Sequence, residues 1–181
     1  GEEERYQFGF EESYGYLSGG YVRDKDAVNG SMLICEMVCY YKTQNKSILT
    51  VLNELYDEFG YYNNTQVSFT FEGQTGMQKM ADMMASLREN PPKKIGDFDV
   101  VKVADYKLSV IKSVDGTETA IDLPKSNVLS YYLNDGSKVI VRPSGTEPKI
   151  KAYITACGDT RKVSEEKAEM LGNSISEILG V

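Results

Sequence analysis

Apolar and polar positions along this chain fall into two kinds of period. Tyr6, Phe8 and Phe10 alternate with other residues, which predicts a strand over 6–10. Asp26 then reads as an N-cap for a helix from Ala27 to about Lys42. Val28, Met32, Leu33, Ile34, Met37 and Val38 leave that helix apolar nearly all round, so burial on more than one side is expected. A second helix is predicted from Ser47 to Phe59, with the stripe Ile48, Val51, Leu52, Leu55 and Phe59, and with Gly60 as its stop. Residues 1–60 thus give a strand plus two helices, a truncated α/β segment. One strand makes no sheet, so its partners are expected from sequence outside this chain, which starts like an excised fragment.

Tyr61-Tyr62-Asn63-Asn64 reads as a linker or hinge. Beyond it, Val67, Phe69 and Phe71 alternate with polar residues in a strand with one buried face. A helix from about Gln74 to Arg88 carries Met77, Met80, Ala81, Met84 and Leu87 on one side, a core stripe, and Asn90-Pro91-Pro92 stops it. A strand near Phe98–Val103 precedes a looser section to Asn127. Strands at Val128–Leu133 and Lys138–Val141 flank Asn134-Asp135-Gly136-Ser137, a hairpin signal. Ile150, Ala152 and Ile154 mark one more strand, and a last helix runs from about Thr160 to Leu179. Residues 65–181 therefore read as a whole α+β domain, a mainly antiparallel sheet with two helices on one face.

Charge and composition narrow the chemistry. The net charge of −7 is the wrong sign for a general nucleic-acid binder and favours a small ligand in a local basic pocket. The absence of histidine excludes Ser-His-Asp and Cys-His catalysis and any histidine metal site within these residues. Cys35, Cys39 and Cys157 form no disulfide framework and fit a reducing cytosol, hence a cytoplasmic protein. Cys35 and Cys39 stand a helical turn apart in an apolar run and read as core rather than as metal ligands. The longest apolar run, around Met32–Tyr41, is too short to span a membrane, and no membrane association is expected.

Arg142-Pro143-Ser144-Gly145-Thr146-Glu147-Pro148-Lys149 concentrates a guanidinium, two hydroxyls, a glycine and a lysine between two strands. That set can hold a phosphate: a forked donor, hydroxyl donors, and a backbone that an anion can approach closely. Arg142, Lys149 and Lys151 share one sign in an acidic protein. Glu147 opposes an anion unless it turns away, toward Arg142 or Lys151. A second polar stretch, Glu11-Glu12-Ser13-Tyr14-Gly15-Tyr16, follows the first strand. Its carboxylates can accept bonds from sugar hydroxyls, and Tyr14 or Tyr16 can stack on a ring, although a plain solvated loop would read the same way. Arg23 and Lys25 fall at the mouth of the first helix, where the helix dipole favours anions.

These motifs stand in a fixed order: Gly9-Phe10-Glu11-Glu12-Ser13-Tyr14-Gly15, Arg23-Asp24-Lys25-Asp26, and the 142–149 loop. Together they resemble the α-D-phosphohexomutase superfamily of phosphoglucomutases and phosphomannomutases, in the C-terminal part of a long bacterial member. The resemblance implies that residues 1–60 finish a sugar-binding domain 3, that 61–64 form a hinge, and that 65–181 are the phosphate-binding domain 4. It assigns Glu11, Ser13 and Lys25 to the sugar, and Arg142, Ser144, Gly145, Thr146 and Lys149 to a phosphate. The reaction it implies moves a phosphoryl group between C1 and C6 of a hexose through a 1,6-bisphosphate. A phosphoserine in domain 1 and Mg2+ on an Asp-Gly-Asp loop in domain 2 carry that chemistry. Neither motif occurs here, so no catalytic or metal-ligating residue and no cofactor is expected in this chain; Mg2+ and glucose 1,6-bisphosphate belong to the full-length parent. The expected partners are a phosphosugar and the N-terminal domains of the same parent. Glu11-Glu12-Ser13 looks most like the glucose type. The alternatives are a mutase acting on pentose phosphates and a stand-alone anion-binding module without catalysis.

Overall fold

The computed structural model describes residues 3–11, 14–71, 75–145 and 147–180. They divide into two compact units, Gly1–Glu58 and Phe59–Val181.

The first unit opens with a single 3-10 turn, Glu3–Arg5, and then a hairpin of β1 (Phe8–Phe10) and β2 (Tyr16–Ser18). Gly9 stands opposite Leu17 in its antiparallel register. The second strand lies where a plain loop was expected, since three residues carry too little alternation to announce it. Helix α1 (Ala27–Thr43) begins where Asp26 predicts. The Asp26 carboxylate accepts the Asn29 N–H at 3.0 Å and the Tyr21 hydroxyl at 2.7 Å. Its backbone N–H donates to the Tyr16 carbonyl at 2.8 Å, which ties the start of α1 to β2. Gly30 lets the helix lie on that strand: a Cβ there would stand 3.1 Å from the Tyr16 Cβ. Helix α2 (Ile48–Phe59) follows.

The apolar surface of α1 is not buried, contrary to the sequence expectation. Only Gly30 is covered, while Val28 and Met32 are 82% and 70% exposed. Cys35 and Cys39 are exposed as well, so they are not core residues within this unit. The described part of the unit contributes a two-stranded hairpin, too little sheet to cover an all-round apolar helix. The stripe of α2 is likewise without a buried residue.

The second unit is α+β. Its strands are β3 (Tyr61–Thr70), β4 (Lys94–Ile95), β5 (Phe98–Asp105), β6 (Val110–Ser113), β7 (Glu118–Ala120), β8 (Leu129–Leu133), β9 (Lys138–Pro143) and β10 (Lys149–Gly158). The sheet order is β3-β10-β9-β8-β5-β6-β7, with β4 paired to β5, and every pairing is antiparallel. Helices α3 (Gly76–Glu89) and α4 (Arg161–Ile178) cover the same face. Met80, Met84 and Leu87 of α3 and Ala168, Leu171 and Ile175 of α4 meet Val139, Val141, Ile150 and Ile154 of the sheet in one core.

Residues 61–64 are not a linker. They are the first four positions of β3, paired with β10 from Tyr61↔Gly158 to Asn64↔Thr155. An edge strand tolerates asparagines that a central strand would not, and Asn64 Oδ1 accepts a bond from the Thr155 hydroxyl at 2.8 Å. The looser section before Asn127 contains β6 and β7, an exposed meander that continues the sheet.

Candidate functional site

Each unit carries one of the polar stretches singled out above. In the first, the chain leaves β1 at Phe10, and Glu11 N–H donates to the Gly15 carbonyl at 2.8 Å, closing a short loop. Tyr14 sits in that loop at φ +63°, a conformation that costs a non-glycine residue free energy and that clusters at ligand-contacting loops. Its ring is 88% exposed. Tyr16 is already stacked on Phe8 at 6.3 Å, which leaves Tyr14 the more accessible of the two tyrosines.

Across a pocket of about 350 Å³ lies the segment before α1. Glu11, Gly15, Arg23, Asp24 and Lys25 all line it. Lys25 Nζ is 3.5 Å from Glu11 Oε1 and 3.5 Å from Asp24 Oδ1. The Glu11 charge first, then that of Asp24, raises the Lys25 ammonium above its ordinary value. Gly15 makes room for this pair, since a Cβ there would stand 2.8 Å from Lys25 Cγ and 3.2 Å from Glu11 Oε2. Two of the three sugar-binding residues expected from the sequence are thus brought together; Ser13 lies outside the described residues.

In the second unit, strand alternation builds the other site. Val141 and Ile150 are fully buried, so Arg142, Lys149 and Lys151 fall on the opposite face of the sheet. The register sets Lys151 directly across from Arg142. The loop between β9 and β10 is closed by Ser144 N–H to the Lys149 carbonyl at 2.7 Å and Lys149 N–H to the Glu147 carbonyl at 2.8 Å. Glu147 N–H also reaches Ser144 Oγ at 3.3 Å. Phe71 N–H donates to the Pro148 carbonyl at 2.8 Å, and the first residue of α3, Gly76, lies so close that a Cβ there would be 2.9 Å from Pro148 Cβ. Gly145 is exposed with open space around it. Thr146 lies outside the described residues.

Among the described residues no carboxylate comes within ion-pair distance of Arg142, Lys149 or Lys151, Glu147 included. Three cations without acidic partners among the described residues thus share one face of the sheet beside the β9–β10 loop, a locally positive surface in an acidic protein.

Comparison with known proteins matches both halves. Residues 79–172 match the family model described as phosphoglucomutase/phosphomannomutase, C-terminal domain. Residues 2–59 match the model for alpha/beta/alpha domain III of the same family. The chain belongs to the phosphoglucomutase/phosphomannomutase family. It is 39% identical over 166 residues to a phosphoglucomutase of Staphylococcus aureus strain MRSA252, covering 91% of this chain and 30% of that protein. It is 40% identical over 153 residues to the phosphoglucomutase of Staphylococcus haemolyticus, covering 84% and 28%. The chain therefore spans under a third of the length of these curated relatives. Among solved structures, parafusin (phosphoglucomutase) of Paramecium, in an open form, superposes with a TM-score of 0.57 at 19% identity, over 94% of this chain and 30% of that one. That likeness bears on the fold alone.

One residue of this phosphohexomutase segment escapes a reading by motif. Lys151 joins Arg142 only through the β9–β10 register, though its odd-numbered alternation with Lys149 was visible. Arg23 lines the same pocket as Glu11 and Lys25. The described residues hold no group of three or more His, Cys, Asp or Glu side chains able to bind a metal ion. No helix among them is long and apolar enough to cross a membrane.

Proposed function

We propose that this chain supplies sugar and phosphate recognition to a phosphohexomutase that interconverts hexose 1-phosphate and hexose 6-phosphate through a 1,6-bisphosphate. The observation that carries this reading is the set of cations without acidic partners among the described residues, Arg142, Lys149 and Lys151, gathered on one sheet face beside the loop between β9 and β10. Glucose is the favoured sugar, in keeping with the names of the relatives and with Glu11-Glu12-Ser13. The setting is cytoplasmic, in keeping with three free cysteines.

Recognition by Arg142, the Ser144 and Thr146 hydroxyls, the Gly145 backbone and Lys149 is indifferent to which carbon bears the phosphate. A bisphosphate that must present each end in turn needs that indifference. Glu11 accepts bonds from ring hydroxyls shared by both binding orientations, and Ser13 and Lys25 act beside it. Phosphoryl transfer depends on positioning and on stabilising developing charge. The donor phosphoserine and a Mg2+ ion would come from other domains of the parent chain, and Mg2+ would stabilise the charge on the transferring group. The segment on its own is inactive.

Titrating glucose 1,6-bisphosphate into the protein while following amide shifts tests the reading. Shifts concentrated at 142–149 and at 11–15 are expected. Arg142→Ala should weaken binding roughly 10- to 100-fold, the value of a charge-assisted hydrogen-bond pair. Unchanged amides at 142–149 would defeat the phosphate assignment. Tighter binding of pentose bisphosphates than of the hexose would move the substrate to the pentose class.

A further inference from the structure

Charge partnerships in the first unit single out one residue. Lys25 is shared between Glu11 and Asp24 at 3.5 Å each. Asp26 is occupied by the Asn29 N–H and the Tyr21 hydroxyl. Arg23 is exposed and has no hydrogen bond or ion pair to any described residue. Yet it is not a stray surface side chain. It lines the pocket of about 350 Å³ that holds Glu11 and Lys25, and also an adjoining pocket of about 600 Å³ bounded by Arg5, Val22 and the Gly19-Gly20 turn.

The segment that carries Arg23 is held at both ends. Gly19 N–H donates to the Gln7 carbonyl at 3.3 Å, and Asp26 N–H donates to the Tyr16 carbonyl at 2.8 Å. Arg23 therefore stands between two fixed points, on the wall common to both pockets. A guanidinium presents a planar fork that matches two oxygens of one phosphoryl group, whereas a lysine already shared between two carboxylates acts only as a point charge. Long-chain cations without partners are common on exposed surfaces. One that lines the same pocket as a matched Glu–Lys pair, on a pinned segment of an acidic protein, is placed to bind what that pair cannot.

We propose that Arg23 is a further ligand-contacting residue of this site, its guanidinium receiving a phosphoryl group of the phosphosugar whose hydroxyls meet Glu11 and Lys25. The inference rests on the mutase reading for its ligand. It gives the pocket of the first unit a phosphoryl contact of its own. Glu11 and Asp24 then serve to hold Lys25 in place and to keep the pocket from retaining an anion too tightly for exchange.

The test uses the intact protein that carries this chain, with glucose 1,6-bisphosphate, glucose 1-phosphate and glucose as probes. Arg23→Ala should raise the Kd for the bisphosphate roughly 10- to 100-fold and leave the thermal midpoint unchanged, because Arg23 makes no hydrogen bond or ion pair with a described residue. Arg23→Lys should restore part of that loss, keeping the charge without the fork. Bisphosphate binding by Arg23→Ala equal to that of the wild type overturns the inference, as does an equal loss of affinity for unphosphorylated glucose. A wild type that binds the bisphosphate but turns over no hexose phosphate overturns the mutase reading alone, and the Arg23 comparison still decides the inference. A wild type that binds neither phosphosugar overturns both.

Discussion

At the scale of single residues, the pocket beside Glu11 and Lys25 depends on a missing side chain. Gly15 is buried where Lys25 and Glu11 pass, and a methyl group there would meet Lys25 Cγ at 2.8 Å. Lys25 has to swing away to relieve that contact, losing its position 3.5 Å from Glu11. Gly15→Ala in the intact enzyme should lower kcat/KM about tenfold, near 1.4 kcal/mol, with little change in thermal midpoint, because the displaced side chains are exposed. Unaltered kinetics would show that the Glu11–Lys25 geometry is not used in turnover. Glu11, Lys25 and Arg142 were legible in the sequence because each sits in a compact motif whose order along the chain is itself a signal. Lys151 was weighed only as nearby charge, because standing opposite Arg142 is a property of strand register. The role of Gly15 is a matter of side-chain clearance, which no local pattern encodes.

At the scale of elements, the loop between β9 and β10 inherits its position from the hairpin before it. Asp135, in the β8–β9 turn, accepts the Ser137 N–H at 3.0 Å and its hydroxyl at 2.9 Å, and Lys167 of α4 at 2.7 Å. Ser137 Oγ in turn accepts the Cys157 N–H of β10 at 3.0 Å. One carboxylate thus joins the turn and a helix directly, and reaches the neighbouring strand through Ser137. Burial pushes the Asp135 carboxyl up, but the bond from Lys167, those from Ser137 and the Lys167 charge outweigh it and hold the group below its ordinary value of 3.8. A carboxyl depressed on folding stabilises the protein fully above its unfolded value, and that contribution is lost as pH falls through the folded one. Asp135→Asn should therefore cost about 1–2 kcal/mol in urea denaturation at neutral pH. Its deficit relative to wild type should shrink as pH drops below about 3.8. A deficit independent of pH would remove the charge of Asp135 from the explanation. The hairpin itself was readable from Asn134-Asp135-Gly136-Ser137, and Gly136 does take φ +88°. Of the strands that escaped reading, β6, β7 and the start of β3 lie at or near the edges of the large sheet. Edge positions need not alternate apolar with polar, so they leave little period-two signal to find.

At the scale of the whole molecule, burial is distributed unequally. Apart from Gly15 and Gly30, the buried residues among those described belong to the second unit, including the apolar core. The first unit exposes Val28, Met32, Leu49 and Leu55 from its two helices. Hydrophobic periodicity predicted every one of these helices correctly, because helix existence follows from local spacing. It did not predict which helices would be covered, because cover depends on what packs against them. A short helix gains most of its stability from such packing rather than from propensity. Amide hydrogen exchange on residues 1–181 should therefore separate the two units. Val139, Ile150 and Ile154, paired in central strands and fully buried, should exchange only through global opening. Amides of α1 and α2 should open locally and exchange at least about a thousandfold faster, a gap of roughly 4 kcal/mol that a global stability of 5–15 kcal/mol easily accommodates. Comparable protection in α1 and in β10 would mean that the first unit's helices are stabilised by contacts other than apolar burial. Rapid exchange in β10 would mean that the 59–181 core does not hold the second unit together, and the frame that sets Lys151 opposite Arg142 would fail with it.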